Sequence, residues 1–172
     1  MIISEFSIRP CILRKEDPNW RFALGASPTT NGVVVQLTTK DGHIGYGYAS
    51  ATAHMGSTME TLEVELNMFR SHVIGRSVWD VEALLGALDR ALRGAPQAKA
   101  AIDCALYDLL ARRLGIPICE LFGGPAVTEI ESLRILPIKS PEKMAANARK
   151  LVNEDVKHLK IKVHGNVKED VA

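Results

Sequence analysis

Cysteine is scarce and badly spaced for chemistry. The chain of 172 residues has three, Cys11, Cys104 and Cys119. An odd number at long, irregular gaps, with no Cys-x-x-Cys pair, points to neither a disulfide framework nor a thiolate zinc site. Reduced cysteines in a cytoplasm are the simplest account. Net charge is nearly absent too. Lys and Arg number 21 against 20 Asp and Glu, leaving +1, so no global field draws the chain to nucleic acid or to an anionic membrane. No apolar run approaches the roughly 20 residues that cross a bilayer. The N-terminus alternates like a strand and lacks the basic lead and apolar run of a signal peptide. Internal repeats and low-complexity segments are missing as well. What remains is 47% hydrophobic and 24% charged, the balance of a globular protein with a real core. The length suits one domain, or a small domain plus part of another.

The first part of the chain reads as an α+β unit. Ile3, Phe6, Ile8 and Ile12 alternate with polar residues over a long strand from Ile2 to Leu13. A long loop follows, Arg14 to Asn31, carrying Trp20 and Phe22; at that length it is functional or mobile rather than a plain connector. The β-branched run Gly32 to Thr39 predicts a second strand. Lys40-Asp41-Gly42 is a hairpin signal, and His43 to Ser50 returns as a third strand with Tyr46 and Tyr48 on one face and glycines on the other. After a short loop, 51–56, bearing His54 and Met55, Ser57 and Glu60 have the form of a capping box. Leu62, Leu66 and Phe69 make one helical stripe behind it. Ser77 through Asp80 opens a second helix whose apolar side is Val78, Val81, Leu84, Leu85 and Leu88. Pro96 opens a third, which Gly115 ends; its many alanines predict that other helices approach closely. The order is a three-stranded antiparallel meander followed by a helical bundle.

From Thr128 the pattern changes. Ile130 to Ile138 reads as a strand, Ser140-Pro141 opens a helix to about Val152, and His158-Leu159-Lys160-Ile161-Lys162-Val163 reads as another strand. Asn166 with Glu169 looks like a further helix start. A strand–helix–strand–helix series predicts parallel pairing, and two parallel strands cannot cover their own faces. The expectation is the first part of a longer (β/α) protein. In the last strand Leu159, Ile161 and Val163 point one way and Lys160 and Lys162 the other. Two readings are open. The lysines stand in water on an edge strand, as unpaired lysines usually do. Or they are a functional pair in a cavity, where burial and a like-charged neighbour disfavour the ammonium and let one accept a proton near neutral pH.

Three stretches resemble a known family. Gly42-His43-Ile44-Gly45-Tyr46-Gly47 is similar to its hairpin turn. Ala98 to Ala111, continuing through Gly115-Ile116-Pro117 and Leu121-Phe122-Gly123-Gly124, is similar to the helix of its capping domain and the exit from it. Lys160-Ile161-Lys162 matches its Lys-x-Lys motif. In this order and at these separations they resemble the N-terminal portion of the enolase superfamily, in the mandelate racemase and muconate-lactonizing-enzyme-like group. The resemblance implies an α+β capping domain at residues 1–126 and, at 127–172, the first β/α units of a modified TIM barrel, whose active site lies at the C-terminal ends of the strands. It implies a small carboxylate substrate whose α-proton a Lys or His base removes while Mg2+ stabilises the ene-diolate, for which this superfamily is a known example.

By the match, Lys162 is the acid/base. Lys160 holds positive charge beside it, depressing its pKa and helping to bind the substrate carboxylate. Trp20, Phe22, His54 and Met55 fall on the loops that close the site in the family, with ordinary packing or solvation an equal alternative for each. His164 stands just past the strand end, either near the site or simply facing solvent. Asp103 and Asp108 fall on the capping-domain helix and serve structure. The family's metal carboxylates come from later strands, and no Asp or Glu here matches them, so this chain alone is expected to be inactive. A homo-oligomer in the cytoplasm is implied. Two alternatives stay open: a non-catalytic capping-domain module for binding or oligomerisation, and a barrel completed by a separate chain. Racemase, epimerase, cycloisomerase and dehydratase are not separated at this point.

Overall fold

The computed structural model describes residues 1–171, with Glu169 described by its backbone alone. The Glu169 side chain, expected to pair with Asn166, and Ala172 lie outside the described residues. In chain order the elements are β1 (Ile3–Arg14), a ribbon of β2 (Arg21–Phe22) and β3 (Gly25–Ala26), then β4 (Thr29–Thr39) and β5 (Ile44–Ser50). A 3-10 turn at Ala53–Met55 leads to α1 (Met59–Val73), α2 (Val81–Ala91), α3 (Pro96–Leu114) and α4 (Ile118–Leu121). The chain continues as β6 (Leu133–Leu136), α5 (Pro141–Asn153), β7 (His158–Ile161) and α6 (Val167–Asp170). Two compact units result: Met1–Leu13 with Thr30–Pro125, and Arg14–Thr29 with Ala126–Ala172.

The first unit is built on a three-stranded sheet in the order β1-β4-β5. Alternation explains the core face of β4, where Val33, Val35 and Leu37 are buried and the residues between them face away; Ile3 and Phe6 of β1 are buried too, three residues apart, so strict alternation does not account for that pair. The Asp-Gly signal is realised as a three-residue hairpin loop. Thr39 N–H donates to the His43 carbonyl at 2.9 Å, and Gly42 takes the left-handed conformation, φ 84°, that such a loop needs at its last position. Over this face lie Leu62, Leu66 and Phe69 of α1, Leu84 and Leu88 of α2, and Ile102, Leu106 and Leu109 of α3, in one continuous cluster. Each such side chain contributes about 1.5–3 kcal/mol when fully removed from water.

The alanines of α3 have a different partner from the one the sequence suggested. It is strand β5, more than another helix, that comes close. A Cβ on Gly47 would overlap the Ala101 carbonyl, and one on Gly45 would overlap the Ala105 carbonyl. The glycines on the buried face of β5 and the small residues of α3 are thus two halves of one close crossing. Tyr46 and Tyr48 take the opposite face of β5, as their spacing required. Asp108 then ties helix to strand: its carboxylate accepts the Tyr46 N–H at 2.9 Å and the Arg112 Nε–H at 2.8 Å. This is the structural role expected of an acidic residue on that helix.

Helix starts differ from the sequence reading by a few residues. The capping box belongs to Thr58 and Thr61, not to Ser57 and Glu60. Thr61 N–H donates to the Thr58 hydroxyl at 3.2 Å, and Thr58 N–H donates to the Thr61 hydroxyl at 2.8 Å. Ser57 is instead buried, and its hydroxyl makes no hydrogen bond among the described residues. Glu60 sits in the first turn, where hydrogen bonds from its own N–H and from Thr58 hold its carboxyl below the ordinary range. At α2 the Ser77 hydroxyl receives the Trp79 N–H at 3.2 Å; it shapes a turn, and the helix begins only after Asp80. Pro96 and Gly115 bound α3 as expected, with Gly115 left-handed at φ 69°.

In the second unit β6 and β7 pair in parallel, with Leu133 opposite His158 and Leu136 opposite Ile161. The strand expected over Ile130–Ile138 shortens to Leu133–Leu136 because β7 offers only four paired residues; Ile130 is 85% exposed. Helix α5 connects the two strands, with Ser140 and Pro141 at its start. Leu136 and Ile138 are buried, whereas Ile161 and Val163 remain 59% and 48% exposed. The 14–31 loop is not featureless either. It contains the β2–β3 ribbon, in which Arg21 pairs with Ala26 and Phe22 with Gly25, and β4 begins at Thr29, earlier than Gly32. The segment 14–29 belongs to this unit, with β6 and β7.

Candidate functional site

Lys160 and Lys162 stand on one face of the β7 line, roughly 7 Å apart by strand geometry. Lys160 lies opposite Ile135, and the Lys162 N–H donates to the Leu136 carbonyl at 3.0 Å, so the ladder carries on past the end of β7. Among the described residues neither ammonium makes an ion pair. Lys160 is exposed and Lys162 half-buried. The two strands therefore hold a like-charged pair at the C-terminal end of a parallel ladder, but leave Lys160 in water.

Just past Lys162 the chain is fixed by Asp170. Its carboxylate accepts the His164 N–H at 2.9 Å and the Gly165 N–H at 2.8 Å, and it approaches the His164 Nδ1 at 3.4 Å. These bonds, the His164 amide first, hold its carboxyl below the usual range. His164 is thus oriented by a carboxylate beside the candidate base. At the other end of β7, Glu131 accepts from His158 Nε2 at 2.7 Å and from Lys157 Nζ at 3.2 Å. This brace sits at the strand start, away from Lys162.

Trp20 and Phe22 share this unit with the lysines, both half-buried on the ribbon segment. The Lys15 ammonium lies 5.6 Å from the Trp20 ring centroid. A cleft of about 570 Å³ is lined by Lys15, Asp17, Trp20, Lys139 and Asn147. Asp17 and Lys139 form an ion pair at 2.6 Å; the Lys139 ammonium, with the Asn19 amide, holds the Asp17 carboxyl below the ordinary range. Sequence reasoning missed this pair. Its one local sign was Asp17-Pro18-Asn19, an Asx-turn pattern, realised by the Asn19 N–H donating to Asp17 at 3.0 Å. His54 and Met55 belong to the other unit, exposed on the 3-10 turn that follows β5. The structure brings together Lys160, Lys162, Trp20 and Phe22 in one unit and leaves His54 and Met55 in the other.

Residues 9–123 match the family described as mandelate racemase / muconate lactonizing enzyme, N-terminal domain. The chain belongs to this family. It is 34% identical over 173 residues to an L-Ala-D/L-Glu epimerase of Clostridium acetobutylicum, covering 99% of this chain and 48% of that protein. It is 35% identical over 144 residues to an N-succinyl-L-Arg/Lys racemase of Bacillus cereus, covering 81% of this chain and 38% of that protein. The structure of a dipeptide epimerase from Cytophaga hutchinsonii, complexed with Mg and the dipeptide D-Ala-L-Val, superposes with a TM-score of 0.92 at 30% identity, covering 99% of this chain and 46% of that one. The chain therefore spans about half the length of these relatives. The capping domain and the barrel start implied by the resemblance agree with this family and with the architecture above.

Magnesium finds no site among the described residues: no group of three or more His, Cys, Asp or Glu side chains could hold a metal ion. Among the same residues no helix is long and apolar enough to cross a membrane.

Proposed function

We propose that this chain is the N-terminal part of an enolase-superfamily racemase, epimerase or cycloisomerase that removes the proton α to a carboxylate. In this reading residues 1–126 are the capping domain and 127–172 begin the barrel. The observation that carries it is the Lys160-x-Lys162 pair, without carboxylate partners among the described residues, at the C-terminal end of the second parallel strand. Barrel chemistry is done at that end. Lys162, as the free amine, accepts the α-proton, and the electron pair passes into the substrate carboxylate. Lys160 keeps positive charge on that carboxylate. Trp20 and Phe22, in the same unit as the lysines, supply loop contacts to the substrate. Relatives named for dipeptide epimerisation and for N-succinyl amino acid racemisation support a small amino-acid derivative as substrate. The family likeness also supports a homo-oligomer working in the cytoplasm.

In this reading the magnesium ligands lie outside this chain. The 172-residue chain by itself is therefore inactive. The test joins residues 1–172 to the C-terminal half of the Clostridium acetobutylicum relative and follows α-proton exchange of dipeptides in D2O by NMR. The chimera is expected to exchange only with Mg2+, and K162A to lose about 10²–10⁴-fold, the usual worth of a general base. Exchange by the unfused chain, or full exchange by the K162A chimera, would refute the proposal.

A further inference from the structure

The segment 14–29 has little to hold it folded. Its ribbon contains two residue pairs, and a two-stranded ribbon of that size is marginal on its own in water. Trp20 and Phe22 are only half-buried, and none of its residues joins the buried core. Among the described residues, two bonds run from it to the turn that follows β6. The Ile138 N–H donates to the Arg21 carbonyl at 3.0 Å. The Lys139 ammonium meets Asp17 at 2.6 Å, with about three-quarters of each side chain removed from solvent, at 23% and 26% exposure. Asp17 is itself held in shape by the Asn19 amide.

We infer that Asp17 and Lys139 are a latch: they are positioning residues that hold the Trp20–Phe22 flap against the β6–α5 turn. Of the two fastenings, this is the one that sequence can alter, because the other is backbone to backbone. It is also charge-assisted, shorter than a neutral hydrogen bond and roughly twice as strong. Opening the latch lets the ribbon peel away from Ile138 and removes one wall of the cleft that Asp17, Trp20 and Lys139 line together. The bearing of the latch on catalysis rests on the function proposed above; the latch itself does not.

Chymotrypsin reads the flap directly, since cleavage after Trp20 or Phe22 requires the half-buried ribbon to open. When opening is fast relative to cleavage, the rate tracks the open population. In the purified chain K139M is expected to be cut there about tenfold faster than wild type, the effect of losing one hydrogen bond to a charged group. K139R, which keeps a donor for Asp17, should stay within about twofold of wild type. K99M, which breaks the Lys99–Asp89 pair of the other unit, should leave the rate unchanged. If K139M fails to fold by circular dichroism, D17N carries the same expectation. Cleavage of K139M at the wild-type rate, of K99M as fast as K139M, or of K139R as fast as K139M would overturn the latch. No outcome depends on substrate or metal, so loss of the catalytic reading and loss of the latch are separate results.

Discussion

Gly47→Ala isolates the contact on which the first unit depends. Its added Cβ would overlap the Ala101 carbonyl, a backbone atom in the middle of a 19-residue helix that cannot rotate aside as a side chain could. Relief requires α3 to move off β5, which loosens the packing of Ala105 and Leu109 as well. Overpacking a core costs typically about 1–3 kcal/mol, and a rigid backbone obstacle puts this substitution at the upper end. At about 4 °C per kcal/mol for a domain of this size, the melting temperature should fall by roughly 10 °C. Gly86→Ala is the matched control. On α2 its Cβ would meet only the Arg90 guanidinium, at 3.4 Å, so the gain in helix propensity of about 0.5–1 kcal/mol should dominate. Urea unfolding followed by far-UV circular dichroism measures both. If Gly47→Ala stays within about 0.5 kcal/mol of wild type, or if Gly86→Ala is equally damaging, the close crossing of α3 and β5 is not what the glycines are for.

Two further outcomes follow from the carboxylates of α3. Asp108→Ala removes the acceptor of the Tyr46 amide and the partner of Arg112. It should cost about 1.5–3 kcal/mol, with Asp108→Asn losing less because it can still accept from Tyr46; equal urea midpoints for Asp108→Ala and wild type would count against this tie. Asp103 has a buried carboxylate oxygen without a hydrogen-bond partner among the described residues, and burial, then the nearby Glu82, lifts its carboxyl above the ordinary value. A raised carboxyl binds its proton more tightly in the folded state, so it erodes stability as pH rises from the unfolded pKa through the folded one. Asp103→Asn should therefore be the more stable protein at pH 7, and lose that advantage in acid below the unfolded value. A variant weaker than wild type at neutral pH would show that the charge is better accommodated than its surroundings imply.

Which parts were legible in the sequence follows from how far each signal reaches. The stripe Leu62, Leu66 and Phe69 and the alternation of β5 are local periods, and a period fixes which face a residue takes. It does not say what meets that face, so the alanines of α3 revealed a close approach but not that glycines of β5 make it. Helix starts slipped because Ser57–Glu60 fits the local Ser-x-x-Glu rule whereas the box that forms has Thr61 in place of the acid; Ser57 is buried, a tertiary effect that the local pattern does not carry. The β2–β3 ribbon is too short to carry any period. The Asp17–Lys139 pair joins residues distant in sequence, with only an Asx turn to mark one end. The β6 strand is shorter than Ile130–Ile138 because only Leu133–Leu136 pair with β7, which no feature of the segment itself could announce.

The Lys-x-Lys strand shows where this limit bears on chemistry. Alternation puts Lys160 and Lys162 on one face, and the parallel register opposite Ile135 carries them to the end of the ladder. Both facts follow from the local sequence and its partner strand. The proton chemistry proposed for Lys162 needs something more, a surrounding of low dielectric that disfavours its ammonium. Two strands and one helix do not provide it, since Lys160 is exposed on one face while Ile161 and Val163 are half open on the other. Whatever covers those two valine and isoleucine side chains also closes the sheet around the lysines, because both faces of a parallel ladder are normally buried together. The catalytic reading and the burial of an apolar sheet face are therefore one question. Structural completion of the sheet in the chimera should bring Lys162 out of water at the same time as it brings the metal ligands in.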